Sequence, residues 1–347
     1  MFDGTTVSTT QRDKASRPIG RKAELGLICQ HWSSAENGDG QVLMLSGEAG
    51  IGKSCILHSF NRQLADQDVN IVRFFGSAFH LHSTMHPIVE ELQGRLGLHK
   101  DALAADKLAK LKETLSQDQQ VHVAALCYLL GIDTPATAEL LGFAPEDLKK
   151  ATFAAVLDFY ASMAEEKPLL MEVEDVHWCD PTTLEVIAQF IEQLKNKRWL
   201  MLLSFRPNYK APFRNLSYVT SLSLNRFSKS DVVSLINAMT GGKQLPKRLM
   251  DQIVERADGI PLYAEELTQM VLESGWVQDL DGHYQMSGSD VEHAIPASLQ
   301  DSLTARLDRS PSAKEIAQIA ATIGRRFSRE LLRLVSGYRD QQLRGAL

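Results

Sequence analysis

The chain has 347 residues, 44% hydrophobic and 23% charged, with a formal net charge of −6. Its length sets a prior of two to three domains, and its composition excludes a disordered chain. The negative balance argues against a whole-chain polyanion binder, and the longest apolar runs (42–45 and 199–203) are too short to span a bilayer.

Residues 1–18 are polar and Thr/Ser-rich, read as a flexible lead-in and do not resemble a secretory leader. Structure is expected from Ile19. The apolar run 41–46 (QVLMLS) ends at Gly47 and fits a strand buried on both faces. Leu57, Phe60 and Leu64 then fall on one helical face. Further strands are predicted at 69–75 (VNIVRFF), 169–174 (LLMEVE), 199–204 (WLMLLS) and, with a fainter pattern, 218–224. A helical pattern at 184–194 lies between two of them. Strands alternating with helices predict an α/β fold with a parallel sheet covered on both faces.

The interval 77–150 is long for one crossover, and helix-like stretches at 106–115 and 122–130 make it a helical insertion. Beyond Leu224 the strand signal fades into helices at 228–239, 247–257, 261–274, 298–307 and 314–323, so a boundary is placed near 225. Asp281-Gly282 between two short apolar pieces predicts a hairpin over 277–286. Residues 251–300 carry one cation against ten anions, and 301–347 carry nine against five, a mildly basic tail that reads as a solvated face. The cysteines (Cys29, Cys55, Cys127, Cys179) are far apart and suggest neither a disulfide framework nor a zinc ribbon, and the chain reads as cytoplasmic.

The sharpest local signal is Gly47-Glu48-Ala49-Gly50-Ile51-Gly52-Lys53-Ser54, which fits G-x-x-x-x-G-K-[ST] after a buried strand and at the start of a helix. The glycines let successive N–H groups point at phosphate oxygens, and the helix N-terminus adds further donors. Lys53 offers a compact charge to the outer phosphates and Ser54 a hydroxyl to Mg²⁺, so ATP with magnesium is the expected ligand. Cys55 closes the cradle, its side chain read as a small buried hydrophobe.

Such a loop needs an acid at the end of a neighbouring strand. Glu174 and Asp175 stand where an apolar strand runs out. The usual order of Asp before Glu is reversed, so which serves the metal and which the attacking water stays open. A carboxylate inside a buried strand is costly unless it is paired or at an opening to solvent, and Glu172 is read as marking an exposed edge of that strand. Arg206, after the fourth strand, is either a sensor of the γ-phosphate or of the metal-bound acids, or a plain surface arginine.

These residues also carry a family likeness. Residues 174–185 (EDVHWCDPTTLE) resemble the EDxHWxDPTSLE signature of STAND-type signalling ATPases, relatives of the AAA+ class. Residues 18–25 (PIGRKAEL), with Gly20 and Arg21, resemble the VGRExEL segment beside the adenine. Residues 204–207 (SFRP) resemble the sensor segment, and 259–267 (GIPLYAEEL) the GxPLFxEEL motif, which implies that Pro261 packs near the base. Residues 295–303 and 305–309 match the approach to a winged helix. Within the class the chain resembles the ATPase module of bacterial proteins with an adenylate/guanylate cyclase domain before it and tetratricopeptide repeats after it, a likeness that 82–90 and 152–157 share. It spans about 19–347. No cyclase segment precedes Ile19 and no repeat follows, so a fragment, a split gene product or a free-standing module is expected, without cyclase activity.

Other constellations carry less. His80, His82 and His86 cannot share one helical face and read as loop histidines rather than a zinc site. His177 could position water or phosphate, or anchor its loop by packing. Trp178 reads as core. Asp180-Pro181 reads as a helix N-cap followed by the first helical residue. Arg325-Arg326 could be an arginine finger, but a solvated helix end is the simpler account.

The resulting expectation is a P-loop ATPase domain over 19–224, a helical lid over 225–295 and a partial winged helix over 296–347, with Mg·ATP bound between the first two. Lys53, Glu174, Asp175 and Arg206 would carry a slow hydrolysis, and Arg206 and Pro261 would report occupancy. A partner protein or fused signalling domain would read the ATP and ADP states, with a nucleotide-dependent oligomer possible and no membrane. Rival readings are a DNA-associated ATPase of the origin-recognition type, a small-molecule kinase and a non-hydrolysing scaffold. The tail charge permits DNA without arguing for it.

Overall fold

The apolar runs assemble into one parallel sheet. Its strands are β1 (Gln41–Ser46), β2 (Asn70–Phe75), β3 (Leu169–Glu174), β4 (Trp199–Phe205) and β5 (Val219–Ser223), in the order β2-β3-β4-β1-β5. The three inner strands are buried almost throughout, while β2 and β5 at the edges alternate with exposed positions. This is why the inner strands read as continuous apolar runs and β5 only faintly. The computed structural model describes residues 19–99, 102–213, 216–280, 282–287, 311–323, 327, 329–338 and 343. The lead-in, the helix at 298–307, the motifs at 295–303 and 305–309, Arg325-Arg326 and the greater part of 336–347 lie outside the described residues.

Helices α1 (Lys22–Glu36), α2 (Lys53–Gln63), α3 (His86–Arg95), α4 (Ala104–Thr114), α5 (Val123–Leu129), α6 (Pro135–Leu140), α7 (Pro145–Glu166) and α8 (Pro181–Gln193) surround the strands. Strand alternation sorts the inner side chains to two faces. Val42, Met44, Val72, Phe74, Met171, Val173, Met201 and Leu203 join one core cluster with Phe153, Tyr160 and Phe190 of α7 and α8. Phe74 meets Tyr160 edge-on at 5.5 Å, and Tyr160 meets Phe190 at 5.7 Å. On the opposite face α2 reaches β3 through side chains described below, and Trp32 of α1 packs on Phe60 of α2 at 6.1 Å.

The chain divides into two compact units. One comprises Ala23–Ala49 and Lys53–Leu224 and holds the sheet. The other comprises the segment through Lys22, Gly50–Gly52, and the chain from Asn225 onward. In it α9 (Lys229–Met239), α10 (Lys247–Ala257) and α11 (Pro261–Glu273) bury Val232, Ile236, Leu249, Ile253, Leu267 and Val271 in a core of their own. Ser228 and Asp231 form a reciprocal cap at the start of α9. The predicted hairpin is present as antiparallel β6 (Val277–Leu280) and β7 (His283–Met286). Helices Pro311–Ile323 and Arg329–Ser336 contribute Ile316 and Leu332 to a small separate cluster. No helix among the described residues is long and apolar enough to cross a membrane.

Candidate functional site

In a parallel sheet the carboxyl ends of all strands lie on one edge. β4 stands between β1 and β3, so the glycine loop after β1 and the acids after β3 flank the end of β4. The Gly47 N–H donates to the Phe205 carbonyl at 3.2 Å, tying the start of the loop to that end. The loop turns through positive φ at Gly50 (75°) and Gly52 (99°), and α2 opens at Lys53. The Lys53 amine turns back on the loop and donates to the carbonyls of Gly47 at 2.8 Å and Glu48 at 2.9 Å. Burial pushes Lys53 below the usual lysine range; Asp175 and Glu174 oppose that shift and Arg206 adds to it. All three charged candidates therefore act on this amine.

Ser54 makes the direct link. Its hydroxyl donates to Glu174 Oε2 at 2.5 Å, across 120 residues of sequence. Asp175 follows in a left-handed conformation (φ 55°), and its N–H donates to the Ser204 hydroxyl at 3.1 Å. Gly76 permits this bend. Its N–H donates to the Glu174 carbonyl at 2.8 Å, and a Cβ on Gly76 would lie 2.2 Å from the Asp175 carbonyl oxygen. Arg206 places its guanidinium 5.8 Å from the centre of the Trp178 ring. Trp178 is therefore half-buried and supports Arg206 instead of filling the core. The His177 ring packs against Trp178 at 5.0 Å. Asp180 caps α8 as expected, accepting from the N–H groups of Thr182 and Thr183 at 3.1 Å each.

Glu172 corrects the sequence expectation. It lies inside the sheet, only 1% exposed, and marks no exposed edge. Arg73 Nε and Asn61 Nδ2 hold its two oxygens, while burial pushes its carboxyl above the usual range. Cys55 is exposed, not buried, because the first turn of α2 turns that side outward. His80 and His86 stack at 3.6 Å, and among the described residues no group of three or more His, Cys, Asp or Glu could hold a metal ion.

Gly20, Arg21, the middle of the loop and Pro261 come together within the second unit. Arg21 is buried, and its Nη2 donates to the carbonyls of Ile51 at 3.0 Å and Asn225 at 2.8 Å, with the guanidinium over Phe227. Pro261 opens α11, and the next N–H, of Leu262, donates to the Gly50 carbonyl at 3.2 Å. A Cβ on Gly50 would stand 2.9 Å from Leu262 Cβ, so glycine is needed there for space as well as for its φ. Ser204 enters the sequence reading only as the first residue of the sensor-like segment, and nothing in the local sequence singles out Asn61, Arg73 or Gly76. For Arg73 and Gly76 the signal is a polar residue or glycine that interrupts or ends an apolar stretch.

The donors present fit the ligand that the motif implies. A hydroxyl and a carboxylate oxygen 2.5 Å apart are hard ligands of the kind that meet magnesium, which typically takes one or two protein groups beside phosphate and water. Lys53 and the turned loop suit the phosphates themselves.

The family described as AAA ATPase domain matches residues 17–203. An uncharacterised protein of Rhizobium meliloti (strain 1021) is 26% identical over 322 residues, covering 91% of this chain. The chain spans 30% of that relative's length. Among solved structures, a signal transduction ATPase with numerous domains and a tetratricopeptide repeat sensor, from Pyrococcus horikoshii, shares the fold. It has a TM-score of 0.50 and 12% identity, and the match covers 95% of this chain and 39% of that one. The Drosophila origin recognition complex bound to DNA also shares it, with a TM-score of 0.50 and 14% identity over 93% of this chain and 76% of that one.

Proposed function

The chain belongs to the AAA ATPase domain family, and from that premise we propose that it binds ATP with magnesium, hydrolyses it slowly and serves as a nucleotide-dependent signalling switch. One observation carries this reading: the 2.5 Å hydrogen bond from Ser54 to Glu174, which joins the glycine loop to the acid at the end of β3. The main-chain N–H groups of residues 47–54 and the first turn of α2, with Cys55, cradle the phosphates. Lys53 trades its bonds to the Gly47 and Glu48 carbonyls for the outer phosphate oxygens. Ser54 and Glu174 meet the metal, which leaves Asp175, bent and held by Ser204, to orient the attacking water. Magnesium, when bound, offsets the negative charge of the phosphate oxygens. Arg206 adds a cation on the same edge of the sheet.

The same proposal assigns 19–224 to the ATPase domain with its insertion at 77–150, 225–295 to a helical lid and 296–347 to a partial winged helix. Gly20, Arg21 and Pro261 take the base side. A protein partner or a fused signalling domain in the cytoplasm reads the difference between ATP and ADP. Association with a cyclase is supported by the sequence motifs alone.

Calorimetry with ATP and magnesium tests the site. Losing a charge-assisted contact worth about 1.5–3 kcal/mol predicts that Lys53→Ala binds about ten- to a hundredfold more weakly than wild type. Equal affinities would remove the phosphate site. Phosphate release without any added acceptor separates a hydrolase from a kinase, and occupancy without turnover would leave a scaffold.

A further inference from the structure

Glu172 has no part in the roles assigned above, yet it stands two residues before Glu174, on the same face of β3. Asn61 Nδ2 donates to its Oε1 at 2.8 Å and Arg73 Nε to its Oε2 at 2.7 Å. Arg73 Nη2 closes the ring by donating to Asn61 Oδ1 at 2.8 Å. Three elements meet here: α2 through Asn61, β2 through Arg73 and β3 through Glu172.

Stability alone does not account for this carboxylate. A buried ion pair is often no better than apolar residues of similar volume, and Leu202, its register partner on β4, fills the adjoining position with an alkyl group. What the ring adds is direction. α2 otherwise buries Ile56, Leu57 and Phe60, and apolar burial is non-directional. Ser54 and Asn61 lie seven residues apart, about two turns, and so share one helical face. Ser54 reaches Glu174 and Asn61 reaches Glu172. The helix is thus fastened to β3 at two points, and any slide or rotation of α2 must break one of them.

We propose that Glu172, gripped by Asn61 and Arg73, is a positioning residue that fixes α2 on β3 and thereby sets the spacing between Ser54 and Glu174. Its mechanics rest on the ring alone, and its consequence rests on the nucleotide function proposed above. Magnesium demands near-ideal geometry. Loosening α2 therefore weakens the metal-dependent part of nucleotide binding and leaves the part made by the loop and Lys53.

The test uses the full chain with Glu172→Leu, Asn61→Leu, Glu172→Gln and the double leucine variant. ATP binding is measured by calorimetry in magnesium and in EDTA. Hydrogen exchange over residues 57–63 is followed without nucleotide. In both single leucine variants the affinity gained from magnesium is expected to fall by roughly 10- to 100-fold, the usual effect of removing groups that orient metal ligands, while affinity in EDTA holds. Exchange over 57–63 quickens. Glu172→Gln, which keeps one acceptor oxygen, falls between. The double variant is no worse than either single one, because both act through one ring. A folded Glu172→Leu protein with the wild-type magnesium gain overturns the proposal, as does unchanged exchange over 57–63. If the wild-type chain binds no ATP in either condition, the nucleotide function falls instead, and the exchange comparison alone decides for or against the latch.

Discussion

β3 and β4 lie side by side inside the sheet, and Glu172 and Leu202 are register partners, each 1% exposed. Equal burial thus holds a carboxylate on one strand and an alkyl group on the other. The difference lies in who can reach them. Glu172 pairs across β2 with Arg73, whose side chain is 44% exposed and so keeps part of its hydration, and it faces Asn61 of α2. Leu202 has Glu172 on one side and Leu43 of β1 on the other. A buried charge survives where donors arrive from outside the strand, and burial by itself does not choose the residue type.

The most severe perturbation makes the two strands alike. Leu202→Glu would set a second carboxylate beside Glu172, with no cation among its neighbours in the row. Its cost is expected to exceed about 4 kcal/mol, enough to unfold many domains, in urea denaturation. A variant within about 1 kcal/mol of wild type would show that β4 supplies donors after all.

A smaller effect separates the two halves of the ion pair. Arg73→Ala leaves the carboxylate buried and is expected to cost about 3 kcal/mol, the low end for a broken buried pair because Arg73 is partly exposed. Glu172→Leu leaves a cation that water can reach and should stay within about 1 kcal/mol of wild type. The pH dependence has a definite sign. Burial raises the Glu172 carboxyl, and Arg73 is the larger of the groups that hold it down. Without Arg73 the folded state favours the protonated acid more strongly. Stability is then retained at acid pH and lost as pH rises through the folded-state pKa, so the penalty of Arg73→Ala should shrink on acidification. A penalty that grows instead would mean that Glu172 does not stay buried.

The same contrast explains what the sequence made legible. β1, β3 and β4 stand out because long apolar stretches cover both faces, and α9 and α11 because Ser228 and Pro261 mark their starts. α7 left no such trace. It buries Phe153, Val156, Leu157 and Tyr160 on nearly all sides, so no single stripe appears. At the site, Lys53 and Ser54 were legible from spacing and Glu174 and Asp175 from the end of a strand. The environment of Glu172 does not show in the sequence because its donor Asn61 lies 111 residues away, and a chain written in order does not show which distant amide will face a carboxylate.

The mildest test concerns a side-chain contact that β4 makes at the end of β3, between the Ser204 hydroxyl and the Asp175 N–H. Ser204 is 1% exposed and accepts the Asp175 N–H at 3.1 Å, just where the chain bends into a left-handed residue. Ser204→Ala removes the acceptor without adding volume, and a part-buried N–H left without a partner costs about 1–2 kcal/mol. Because the loss is local, exchange of the Asp175 amide should quicken while amides within β3 keep their protection. Uniform quickening along β3 would instead mean that the hydroxyl supports the whole strand, and the contrast between the two strands would then not rest on Glu172 and Leu202 alone.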